Sequence, residues 1–475
     1  MKTTNSKNWS RGRPSALTSI LRQKRWSPEG FRGCYGKLRF CQGLFCSLIA
    51  AASLMPSATV TLAGSLPPQL LTARNASVAL PAGGNGDSCG AVVSPDGRFV
   101  VFSSAANNLV PENDRQIYLN VFLRDRASNT TTLASVSLTR TSGGNGHSLY
   151  GRVSTNGQFV LFESQTGNLV TADTNWIGDI VVRDMLAGTT IAASVATNGG
   201  QASGRSYDAV MTPDGRYVAF ASMATNLVAG DNNGIPDVFV RDMVAGTTTL
   251  VSVGSAGPPL GTTPFITAAT PQITADGRCV AFYSSATGMV AGVSGNGDVF
   301  VRDLAGGTTT WASADAAMIL QSTFGSVSNI ISYYPRLSDD GELVAFKSSA
   351  TNFSGTNVIG VTAILVYDLI LGLTTLVTTN AVDSLPDDEN RYGPELAVDG
   401  RFIAYVSQEP TGGGTNSSVY VWDSLADTNI LVSTDGSGVP TNTISDTPVF
   451  SPDGRYVVFR SNASNLVTNA VSSGF

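Results

Sequence analysis

Apolar and polar positions along this chain fall into short runs, and one run pattern returns at a near-constant interval. Residues 209–253 show it well. A short apolar approach, 209–211, meets Pro213-Asp214-Gly215, and Asp-Gly is a strong hairpin signal because glycine accepts a positive φ. The run YVAFAS at Tyr217–Ser222 follows with both alternating faces apolar, which predicts a strand covered on both sides. A polar loop of Thr, Asn, Gly and Asp leads to DVFVRD at Asp237–Asp242, a third strand. Ala245-Gly246-Thr247 turns the chain, and TTTLVSV at 247–253 alternates as a half-exposed fourth strand.

The turn recurs at Asp96-Gly97, Asn156-Gly157, Asp214-Gly215, Asp276-Gly277, Asp340-Gly341, Asp399-Gly400 and Asp453-Gly454, in steps of 60, 58, 62, 64, 59 and 54 residues. Seven copies at so regular a spacing mark a repeat array. Four antiparallel strands per copy make a blade, and seven twisted blades in a ring bury their shared faces and leave few free edges. The expected fold is therefore all-β, a seven-bladed β-propeller of four-stranded antiparallel blades. The seventh copy reaches Phe475 after its second strand and part of the next loop. Residues 70–77 (LLTARNAS) hold, relative to Asp96, the position that a fourth strand holds before each later copy. Closure by an N-terminal strand is expected on that ground, with 70–77 outermost in the last blade and that blade's third strand missing.

The pattern Ser-Pro-Asp-Gly-Arg at 94–98 and 451–455, followed by strands such as Val-Phe-Val-Arg-Asp at 238–242 and Gly-Thr-Thr-Thr-Leu-Val-Ser at 246–252, resembles the repeats of TolB-type propellers. The resemblance covers about residues 65–475. It implies the fold, and it implies a periplasmic or exported binding module. Related propellers precede the catalytic domain of prolyl-oligopeptidase-like enzymes, but no hydrolase domain follows the seventh copy here. No helical N-terminal domain like that of TolB precedes the first copy, so a place in the Tol envelope system does not follow.

Charge divides the chain into two parts. Residues 1–40 hold ten of the 29 Lys and Arg residues but one of the 35 acids, Glu29, so the remainder carries 19 basic and 34 acidic residues, a formal balance of −15. An acidic body repels phosphate backbones and excludes nucleic acid as a partner. The basic leader runs into a weakly polar stretch at 41–63, with small residues near Ala58 and Ala63, and reads as a secretory signal. Residues 1–63 are thus expected to be a leader and 64–475 the propeller, exported to the periplasm or outside the cell. The apolar core 44–55 is shorter than the roughly 20 residues a membrane span needs, and no later stretch qualifies. Three of the five cysteines, Cys34, Cys41 and Cys46, lie in the leader, leaving Cys89 and Cys279 as two expected free thiols.

Within each copy the Asp-Gly and Ala-Gly-Thr turns share one face of the ring and are short. The loop between strands two and three and the link between copies share the other face and are long. Function is expected on that long-loop face, around the mouth of the central channel. There, Asp231, Asn233 and Asp237 place oxygen ligands at alternating positions around Gly234, and Asp173, Asn175 and Asp179 repeat the spacing one copy earlier. Such loops suit Ca²⁺, which takes carboxylate and amide oxygens. The competing reading is Asx-turn chemistry alone, so no cofactor is certain and Ca²⁺ is the candidate. The repeated Asp-Gly-Arg turns read as turns whose Asp bonds its own backbone. His147 is the only histidine, which leaves a Ser-His-Asp triad one available base, and its match to Asp87 in Gly-Gly-Asn-Gly-x-Ser places it in an exposed loop.

Two functions remain. The first is a non-catalytic exported binding or scaffold propeller, a monomer taking a protein or saccharide ligand on its long-loop face. The second is an extracellular polysaccharide hydrolase or lyase with propeller-borne carboxylates. A close pair of partly buried acids at the channel mouth favours the second, and mixed Ser, Thr and apolar lining favours the first.

Overall fold

The computed structural model describes residues 18–23, 69–70, 83–111, 118–171, 173–257, 268–293, 295–354, 357–381, 393–408, 416–434, 443–451 and 454–466. It contains seven four-stranded antiparallel sheets, six of them formed from consecutive strands. Blade three is typical: Ser206–Met211, Tyr217–Ser222, Asp237–Asp242 and Thr247–Leu250 pair in that order. The inner three strands of the other blades begin or end at matching residues, for example Phe159–Ser164 in blade two and Cys279–Ser284 in blade four.

Alternation along these strands builds the core. In blade two, Leu161, Ile180 and Val182 pack on Val218, Phe220 and Phe239 of blade three. Val160, Phe162 and Val181 face the other way, onto Phe99, Val101 and Val121 of blade one. A blade is thus apolar on both faces because it has a neighbour on each side. Clusters of this kind join every consecutive pair from blades one and two to blades six and seven. No such cluster joins blades seven and one among the described residues, and the inner strand of blade one, Ser88–Val93, is exposed along most of its length.

The seventh sheet runs Ser445–Phe450, Tyr456–Ser461, Thr18–Gln23 and Gln69–Leu70. Ile20 lies opposite Phe459 and Leu70 opposite Ile20. Of the expected outer strand 70–77, residues 71–77 lie outside the described residues. Blade five departs from the repeat. Its three inner strands lengthen to Val327–Leu337, Leu343–Ser354 and Asn357–Asp368, and a helix the periodicity did not signal, Ala316–Phe324, precedes them.

The repeated charged residues hold the short turns. Asp214 Oδ1 accepts from Thr212 Oγ1 at 2.5 Å and from the Arg216 N–H at 2.9 Å, while Gly215 sits at φ +79°. Arg216 then reaches Asp242 at 2.9 Å, and Asp242 Oδ1 accepts the N–H groups of Val244 and Ala245 to cap the next turn. The Arg98–Asp125, Arg278–Asp303 and Arg401–Asp423 pairs repeat this clamp. Asp214→Ala should therefore cost on the order of 1 kcal/mol, the worth of a turn hydrogen bond, with ligand binding retained. Chemical denaturation checks the first half and calorimetry the second. An unchanged midpoint with lost binding reverses the assignment.

Candidate functional site

The innermost strand of each blade carries the feature that builds the axis. Its pairing with strand two slips by a bulge in blades one, two, three, four, five and seven. At each bulge one residue adopts a left-handed conformation: Gly90 (φ +62°), Tyr150 (+56°), Asp208 (+54°), Thr270 (+50°), Tyr334 (+55°) and Thr447 (+52°). Five of these six are not glycine. Such conformations cost of order 1–3 kcal/mol each and persist where the surroundings over-determine them.

The next residue in each bulge is small or is proline: Ala91, Gly151, Ala209, Pro271, Pro335 and Pro448, with Pro394 at the matching place in blade six. Crowding explains Gly151, where an added Cβ would stand 2.6 Å from Val101 Cγ2. The residue after that is polar on four blades: Arg152, Gln272, Arg336 and Glu395 on blades two, four, five and six, three of them charged. Sequence reading missed this site. The signal was present as a small residue or proline five places before the Asp or Asn of each turn, but it was overshadowed by the turn.

Those residues meet electrically across the ring. Burial first, then the like charge of Arg336, lowers the pKa of Arg152, although the two sit on blades two and five. Arg152 donates Nη1 to Gly151 O at 3.2 Å, and Arg336 Nε pairs with Glu395 at 2.9 Å. At the long-loop end, Glu163 of blade two accepts the Asp208 N–H of blade three at 2.7 Å, and Asp208 accepts the Thr270 N–H of blade four at 3.1 Å. Tyr207 donates its hydroxyl to Ala268 O at 3.0 Å. Burial, reinforced by the charge of Asp208, pushes Glu163 up to about 7, and burial raises Asp208 as well. Arg205, 55% exposed, stands 3.9 Å from Glu163.

Of the six residues singled out for Ca²⁺, Asp173 and Asn175 lie in the long loop of blade two and Asp231 and Asn233 in that of blade three, while Asp179 and Asp237 open the third strands. In blade three, Asn233 Nδ2 donates to Asp237 Oδ2 at 2.7 Å, and its Oδ1 accepts the Ile235 N–H at 3.1 Å. Asp237 is fully buried and also accepts from Ser252 and Ser255. Asp231 Oδ1 is buried with no hydrogen-bond partner, and burial followed by the charge of Asp237 raises its pKa. In blade two, Asp173 accepts from Gln201 at 3.1 Å, Asn175 Nδ2 donates to Ala202 O at 3.2 Å, and Asp179 accepts from Ser194 at 2.7 Å. The Asp-to-Ser bond recurs at Asp298–Ser313, and Asn120–Ser135 matches it, so the first residue of strand three has a structural task in four blades. Among the described residues, no group of three or more His, Cys, Asp and Glu side chains is placed to hold a metal.

His147 is exposed, as expected, and accepts the Leu119 N–H at Nδ1, 3.1 Å away. Cys89 and Cys279 are both free thiols. No helix among the described residues is long and apolar enough to cross a membrane.

No protein-family model matches the sequence, and no curated protein does. Solved structures match in fold. An oligogalacturonate lyase in complex with manganese is 12% identical, with 78% of this chain and 87% of that one covered and a TM-score of 0.45. The putative TolB of Agrobacterium tumefaciens is 13% identical over 61% of this chain and 80% of its own, with a TM-score of 0.34. The β-propeller domain of the Trilobed protease from Pyrococcus furiosus is 9% identical over 83% of this chain and all of its own, with a TM-score of 0.42. At such values these likenesses carry no argument about activity. The seven four-stranded sheets and the repeat that forms them make this chain a seven-bladed β-propeller protein.

Proposed function

We propose that this protein is an exported binding propeller that takes a polyhydroxylated, saccharide-like ligand at the long-loop end of its axis. One observation carries the reading. The repeat keeps its residue types where they form turns, clamps and inter-blade core, and abandons them where the inner strands face the axis. There the bulge residue is Gly, Tyr, Asp or Thr and the residue two places on is Val, Arg, Gln or Glu according to the blade, with Tyr150, Arg152, Asp208, Thr270, Arg336 and Glu395 among them. A scaffold needs no such variety, whereas a ligand with hydroxyl groups needs donors and acceptors at distinct places.

Isothermal calorimetry against neutral and acidic oligosaccharides tests it, with Arg336→Ala and Asp208→Asn as variants. Micromolar to millimolar binding that both variants weaken supports the reading, and no heat from any saccharide overturns it. The coupled carboxyls of Glu163 and Asp208 favour the hydrolase or lyase reading, and release of reducing ends or unsaturated products in the same samples would establish it. Titration of Ca²⁺ into chelator-treated protein tests the Asp231 loop, where the unpartnered Asp231 Oδ1 is the expected cation contact.

Export is tested by the mature N-terminus. The leader predicts cleavage near Ala58 or Ala63. Cleavage there and the pairing of Thr18–Gln23 with Tyr456–Ser461 exclude one another in one molecule. A secreted protein that retains residues 18–23 therefore removes the leader reading, and one that lacks them must complete blade seven with other residues.

A further inference from the structure

The repeat supplies an internal comparison for blade two. In blade one, Phe122 of the third strand faces Leu133 of the fourth, and with Val136, Leu109 and Val110 they close an apolar cluster. Blade three places Phe239 opposite Leu250, and blade four places Phe300 opposite Trp311. Blade two has Val181 opposite Ala192 in the same register. Both large side chains are cut back there, and a cavity of about 230 Å³ stands beside them, lined by Val170, Val181, Ala192 and Val195 together with Asp173 and Asp179. The pocket opens to solvent beside Ile191, Gly199 and Gly200, and it offers apolar space where the neighbouring blades place Phe with Leu or Trp.

The polar wall of the cavity states what kind of occupant fits. In blade three, the acid matching Asp179 is Asp237, whose second oxygen accepts from Asn233. In blade four it is Asp298, whose Oδ1 accepts both from the Trp311 Nε1–H at 2.8 Å and from Ser313. Asp179 is 6% exposed and takes Ser194 as its hydrogen-bond donor. The counterpart of Asn233, Asn175, donates instead to Ala202 O. A nine-tenths buried acid at the cavity wall thus takes one donor, Ser194, where its counterparts take two or three, and Asp173 adds a second acid to the same wall.

We propose that blade two binds a small organic ammonium ion, its apolar body filling the space of the missing Phe and Leu or Trp side chains and its N–H donating to Asp179 as Trp311 donates to Asp298. A cation there offsets the charge of two carboxylates on one wall. The site lies away from the axial residues, so its occupancy is independent of the saccharide reading.

Calorimetry on the full chain tests it with 3-methylbutylamine and 2-phenylethylamine, against 3-methylbutanol and 2-phenylethanol as neutral counterparts of the same shape. The amines should bind at pH 8, at least about tenfold more tightly than the alcohols. Ala192→Leu, which restores the residue of blades one and three, should abolish binding and raise the melting temperature. Asp179→Asn keeps the Ser194 bond and should remove the preference for amine over alcohol. If Ala192→Leu fails to fold, Val181→Phe fills the same space. Equal binding of amine and alcohol overturns the proposal, as does unchanged amine binding in a folded cavity-filled variant. Displacement of the amine by stoichiometric Ca²⁺ also overturns it, in favour of a metal at Asp173 and Asp179.

Discussion

Asp237→Ala should remove about 3 kcal/mol of folding stability, since three donors lose one buried acceptor at once. The carboxylate is fully buried and accepts from Ser252, Ser255 and Asn233. Ser252 also accepts the Val238 N–H at 3.0 Å, so it ties the start of strand three to the chain leaving strand four. Loss of the carboxylate leaves the Ser252 hydroxyl without its acceptor, while Asn233 keeps only Ser255. Asp237→Asn keeps an acceptor and should cost about 1 kcal/mol. Urea denaturation of both variants provides the measurement, and Ca²⁺ titration of each separates two roles. A variant that melts like the parent yet loses Ca²⁺ heat would make Asp237 a ligand before it is a clamp.

Glu163→Gln should have an effect of similar size and opposite sign. In the folded protein Glu163 is pushed up to about 7 from an ordinary 4.5, by burial and then by Asp208. A carboxyl raised on folding binds more protons in the native state than in the unfolded chain across that window. Stability is therefore lost as the pH rises from 4.5 to 7, and above 7 the ionised side chain costs roughly 3 kcal/mol. Glutamine retains an acceptor for the Asp208 N–H and carries no charge to bury. The variant should match the parent near pH 4 and exceed it at pH 8, by up to about 3 kcal/mol in urea unfolding. Equal stability at pH 8 would mean that Arg152 and Arg205 already compensate the charge, and that the pair is a settled ionic network. The same variant reports on chemistry: if the protein cleaves a polysaccharide with this acid, turnover is lost while stability rises.

The sequence by itself determined the architecture. Turn formation depends on a few adjacent residues, so Asp214-Gly215 and its six relatives could be read locally, and two apolar faces per strand announced a neighbour on each side. It determined the cores for the same reason: Phe220 and Phe239 stand where alternation requires them. It also marked Asp237 and Asp179 as special, but their donors come from fifteen residues later, in the chain leaving strand four, and nothing in the spacing assigned Ser252 or Ser194 to them.

The tertiary structure alone decided which polar residues meet. Arg152 and Arg336 lie 184 positions apart in the chain and become neighbours because the ring brings the inner strands of blades two and five to one axis. The bulges that aim those residues depend on pairing with strand two, a register that alternation leaves open by one residue. The cavity in blade two needed both levels. Val181 and Ala192 are unremarkable apolar residues in the sequence, and they mean something only once the fold sets them opposite each other, in the place where sister blades hold Phe with Leu or Trp. Local chemistry fixes strands and turns because its partners are adjacent, whereas a site assembled from several blades exists only after the chain has closed the distances between them.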